Sequence, residues 1–111
     1  MEETLGVEHS EDIQLGSQIE LTGFRELQQG SMPIIRKIVG HGVKIISEKA
    51  PKFGSIKITL KKVHEKQEGH GQCELHAQCL VNGKQFTSAV THRNLFFGLA
   101  DILKNIEKQL V

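Results

Sequence analysis

His64, His70, Cys73, His76 and Cys79 crowd into one short stretch of a 111-residue chain. Imidazole and thiolate are the groups that hold zinc, so metal chemistry would be sought there first. The surrounding pattern argues against it. Residues 72–81 alternate as a strand does, which puts Cys73 and Cys79 on one face with Leu75, Ala77 and Val81 and turns His76 to the other. Ligands split across a sheet cannot converge on one ion, and a loop site on His64 and His70 would need outside ligands. No metal and no cofactor are expected. The sequence holds no G-x-S-x-G, no phosphate-binding glycine loop and no paired-carboxylate arrangement. His92 stands beside a helix start with no acidic residue placed to orient it, so it suits capping or packing. The chain is not expected to be an enzyme.

A second set of residues suits a different chemistry. Arg36, Lys37 and Lys44 share the polar arc of one helical pattern, and Lys104 and Lys108 that of another. If the two helices pack side by side, these cations form one face that can bind phosphates with steep salt dependence and little sequence preference. Phe97 falls inside the second polar arc, beside Asp101 and Lys104, where an exposed ring can stack on an unpaired base. The plain alternative is a solvated helix face with one ring at its rim. Overall charge is +1, but residues 1–17 hold Glu2, Glu3, Glu8, Glu11 and Asp12 with no Lys or Arg, a net of −5. Residues 18–111 therefore carry 14 basic against 8 acidic side chains, a net of +6. A basic domain beside an acidic segment points to a polyanionic partner.

The elements that must position these groups can be read from periodicity. Residues 1–17 are polar, acidic and aperiodic, and are expected to be a disordered extension. Residues 18–111 are expected to form one domain. Residues 18–24 alternate as a short strand. Ser31, as a cap, and Pro33, in the first turn, open a helix from Ile34 to about Glu48. Its apolar arc holds Ile34, Ile35, Ile38, Val39, Gly42, Val43, Ile45 and Ile46. Gly42 lies inside that arc, as for a close approach to the sheet; Gly40 has no packing reason. Lys49 would fall on the apolar arc, so the helix should stop before it. Residues 55–64 and 72–81 alternate again. Asn82-Gly83 is a two-residue hairpin turn, pairing Cys79 with Phe86 and Leu75 with Val90. The last helix runs within His92–Leu110, capped by Asn94, with Leu95, Phe96, Leu99, Ile102, Leu103, Ile106 and Leu110 on one arc.

The order is β-α-β-β-β-α. An α+β domain follows, a four-stranded mixed sheet with both helices on one face. The other sheet face is polar: Glu20, Lys57, Lys61, Glu74, His76, Gln78 and Thr87. No apolar run approaches the ~20 residues of a membrane span. No signal peptide is recognisable, and a cytosolic protein with reduced thiols is expected.

From Ile19 to Leu110 the chain resembles the ribosome hibernation-promoting factors and ribosome-associated inhibitors, also known as sigma-54 modulation proteins. The resemblance rests on the opening strand IELTG, the hairpin LVNGKQFTSAVTH and the closing helix NLFFGLADILKNIEKQL, which ends in the run Glu107, Lys108, Gln109, Leu110. Asn94 stands where the family usually has Asp, and Ala100 where an acidic residue usually follows. The basic tail that commonly extends the last helix is absent, so only Lys104 and Lys108 match that helix's basic residues. The resemblance implies a fold similar to the double-stranded-RNA-binding domain. It also implies a non-catalytic cytoplasmic protein that binds small-subunit rRNA in the channel used by mRNA and tRNA, blocking translation and protecting idle ribosomes under stress. Its partner would be the small ribosomal subunit, with neither DNA nor membrane involved, and the protein a monomer or weak dimer. The alternatives are a structured-RNA binder unconnected to the ribosome and a protein-interaction module using the outer sheet face.

Overall fold

The computed structural model describes residues 12–14, 18–25, 27, 29–63 and 72–110. Strand β1 (Asp12–Gln14) leads to β2 (Ile19–Thr22), α1 (Met32–Lys49), β3 (Phe53–Val63), β4 (Gln72–Val81), β5 (Lys84–His92) and α2 (Leu95–Lys108). The sheet order is β1-β2-β3-β4-β5. Only β2 and β3 are parallel, with Leu21 opposite Ile58, as a helical crossover between them requires. The four expected strands and two helices are all present, as an α+β fold.

The hairpin has the register that its turn and its hydrophobic pattern both demand. Cys79 faces Phe86 and Leu75 faces Val90, with Asn82 at φ 53° and Gly83 at φ 80°. One core joins the inner sheet face to both helices. Leu21, Ile56, Ile58, Leu75, Ala77 and Cys79 meet Ile35, Val39, Val43 and Ile46 of α1 and Leu99, Ile102, Leu103 and Ile106 of α2. No charged or polar residue is buried among the described residues. The outer sheet face is polar as expected, and Glu74 and His76 are bonded to one another there at 2.7 Å.

Several local expectations need correction. β1 was not expected: it lies in the segment read as a disordered extension and pairs antiparallel with β2, Ile13 opposite Leu21. Three residues are too few to show a period. β2 ends at Thr22, because Gly23 adopts φ +87° with its Cα against the Leu60 carbonyl; a Cβ there would stand 2.3 Å from that oxygen. The reversal drives Phe24 into the core, fully buried, although simple alternation would send it outward. Ser31 does not cap α1. It belongs to a 3-10 turn, Gln29–Ser31, and its helical φ and ψ of −80° and −23° leave its hydroxyl without a cap bond. Helix α1 also runs on through Lys49. That residue is tolerated on the apolar arc because at the helix end its side chain is exposed, and its ammonium meets Glu107 of α2 at 3.2 Å. Finally, Gly42 admits not the sheet but α2: a Cβ would lie 2.7 Å from Leu103 Cδ1 and 3.0 Å from its Cβ.

Candidate nucleic-acid interface

The two helices run parallel. The end of β5 pairs with Cys73, Cys73 with Lys62 and, further along, Thr59 with Thr22, so α1 and α2 both start from the same end of the sheet. The contacts agree: Gly42 meets Leu103 at mid-helix, and Lys49 meets Glu107 at the far end. The sheet covers Ile35, Val39, Val43 and Ile46 of α1 fully or nearly so. The apolar arc is wider than that. Its surplus, Ile38, Gly42 and Ile45, lines an open groove of about 340 Å³ with Ala100, Leu103, Lys104 and Glu107 of α2; His41 completes the lining.

Five of the six predicted site residues stand toward this groove, and Arg36 does not. Arg36, Lys37, Lys44, Lys104 and Lys108 are all exposed. Lys37, His41 and Lys44 occupy successive turns of one strip of α1, and Phe97, Asp101, Lys104 and Lys108 successive turns of α2. Arg36 lies on the side of α1 away from α2, so it does not join the other cations in one face as the sequence suggested. The helices carry Arg36, Lys37, Lys44, Lys49, Lys104 and Lys108 against Glu48, Asp101 and Glu107. The outer sheet face balances Lys57 and Lys61 against Glu20 and Glu74. Of these two faces the helical one carries the positive excess, while Arg25, Lys52, Lys84 and Arg93 stand outside both.

Phe97 is 63% exposed, as its place in the polar arc predicts. It is held there by its neighbours. Asn94 Oδ1 accepts the Phe97 backbone N–H at 3.0 Å, the expected cap. His92 Nδ1 accepts the Asn94 N–H at 2.9 Å, and the His92 ring meets the edge of Phe97 at a centroid distance of 6.0 Å. His92 thus serves the helix start, and its Nδ1 is occupied as an acceptor. Ile34 is a further exposed apolar residue, at 46%, one turn before Ile38 on the groove strip. Sequence reasoning assigned Ile34 to the core. The signal that it is not was the width of the arc, broader than one helix can bury against a sheet.

The zinc-type side chains do not come together. Cys79 is buried, Cys73 partly buried on the same face, and His76 is on the opposite face with Glu74. His64 and His70 lie outside the described residues. Among the described residues no cluster of three potential ligands forms. Burial pushes the Cys79 thiol up to about 11, which marks it as a packing group and not a nucleophile. No helix among the described residues is long and apolar enough to cross a membrane.

The arrangement of five strands and two parallel helices has a counterpart among solved structures. A ribosomal subunit interface protein from Coxiella burnetii superposes with a TM-score of 0.58, covering 84% of this chain and 90% of its own, at 12% sequence identity. The two share a fold. At that identity, likeness extends to the backbone and not to individual side chains. No protein-family model matches the sequence, and no curated protein does.

Proposed function

We propose that the protein binds the small ribosomal subunit through its helical side and occludes the channel used by mRNA and tRNA, protecting idle ribosomes. The observation that carries this reading is whole-domain likeness to a protein described as a ribosomal subunit interface protein, spanning nearly all of both chains. The charge distribution supports it. The helical face has more cations than carboxylates, while the outer sheet face is close to neutral, which favours a polyanion over a sheet-face protein partner.

In this reading Lys37, Lys44, Lys104 and Lys108 contact rRNA phosphates from both banks of the groove, and Arg36 does so from the outer side of α1. Such contacts hold the domain by backbone shape, with no base code. Phe97 stacks on an unpaired base at the end where both helices begin. No step is chemical; the protein acts by occupying space.

Co-sedimentation with ribosomes and separated subunits, at low and high salt, tests the proposal. Salt-sensitive binding to the small subunit is expected, and loss of binding on charge reversal at Lys37, Lys104 and Lys108. Equal binding to any structured RNA would move the reading to a general RNA binder. Binding unaffected by these reversals would eliminate the helical face.

A further inference from the structure

The groove between the helices is apolar on its floor, basic on its rim, and open. Its floor continues beyond Ile38 to Ile34, one turn earlier on the same strip of α1, and Phe97 stands at the same end on the rim strip of α2. These two are the large exposed apolar residues of the helical side. The apolar stripe therefore reaches the end of the domain where α1 and α2 start.

The same end is where β1 begins. Asp12 pairs with Thr22, the last residue of β2, so the chain before Asp12 arrives beside the start of α1. That preceding chain, residues 1–11, has the opposite character to the groove rim. It carries Glu2, Glu3, Glu8 and Glu11, no Lys or Arg, and two apolar residues, Leu5 and Val7, between the acidic pairs. Leu5 is seven residues before Asp12, a reach of up to about 25 Å at ~3.5 Å per residue. Helix α1, about 10 Å across, is what separates the two.

We propose that residues 1–11 fold back over the start of α1 and dock in the groove between α1 and α2, Leu5 and Val7 on the apolar stripe and the glutamates against Lys37, Lys44 and Lys104. Asp101 and Glu48 are the acidic groups on the rim, and Glu107 is engaged by Lys49. The cations thus exceed the free carboxylates there. The docked segment covers the surface assigned above to rRNA, so a polyanion and the segment exclude one another. That last consequence rests on the ribosomal reading; the contact itself does not.

A nitroxide at Thr4→Cys in the full chain, with Cys73→Ser, reports the contact without any RNA. Cys79 is fully buried with its thiol pushed up to about 11, so it escapes labelling near neutral pH. At low salt the amide signals of Gly42, Ile45, Ala100 and Leu103 should be lost, and should return at high salt and in the Glu2→Gln/Glu3→Gln/Glu8→Gln variant. Undiminished signals at these four positions would overturn the proposal. So would broadening seen only when labelled protein is mixed with a second, isotope-enriched copy, since the occupant would then come from another chain. An RNA oligonucleotide that restores the signals supports the competition. Signals lost at low salt but indifferent to RNA would leave the contact standing and remove the RNA reading.

Discussion

Gly40 and Gly42 sit two residues apart in α1 and have opposite roles. Gly40 is exposed, and a methyl group there would meet nothing within 4 Å, so Gly40→Ala should stabilise the domain by up to about 1 kcal/mol through helix propensity alone. Gly42→Ala places its methyl against Leu103 Cδ1 and Cβ, and should cost about 1–3 kcal/mol as α2 is pushed outward. Urea denaturation midpoints of the two variants should move in opposite directions. Phe97→Ala removes a ring that is mostly in water, so thermal stability should change little, while ribosome affinity falls by about 1–3 kcal/mol of lost stacking. Co-sedimentation and a melt on the same sample separate the two effects. The Cys79 thiol ionises near 9 in the open chain and near 11 when buried, so the folded state holds its proton longer. Stability from this group is complete below pH 9 and declines as pH rises from there toward 11. Denaturation midpoints between about pH 7 and 11 should fall more steeply for the native sequence than for Cys79→Ala.

At the scale of elements, what could be read from the sequence was whatever local chemistry decides. The β4–β5 register followed from a two-residue turn and an alternating pattern that agree, and the start of α2 from an asparagine three residues before the amide it caps. Asn94→Ala should cost about 0.5–2 kcal/mol, measurable as a lower melting temperature, because it removes that bond. The misses are places where a distant partner decides. Lys49 ends α1 on the apolar arc because there its side chain is exposed and meets Glu107 of another helix, and β1 exists only because β2 offers an unpaired edge. Ser31 matched a cap by residue type, but a preceding 3-10 turn had already set its backbone to helical angles. Of the candidate site, exposure and helix face were legible for all six residues. The groove, and the separation of Arg36 from it, were not, since both depend on how α1 and α2 come together at Gly42.

At the scale of the whole molecule, five phosphate contacts from Arg36, Lys37, Lys44, Lys104 and Lys108 predict a log-log salt slope of about −4. Each charge removed should make that slope shallower by about one unit, which a titration of salt against binding would show. The parallel course of the helices has a separate electrical consequence. Each helix carries a dipole worth about half a positive charge at its start, and two that point the same way add where an antiparallel pair would cancel. Neither first turn holds an acidic residue, while the last turns hold Lys49 beside Glu48 and Lys108 beside Glu107 and carry no net charge. The positive ends are thus left without a countercharge from their own helices. Both positive ends therefore lie at the end of the domain where Phe97 is exposed, and there they add to the field that would draw a polyanion.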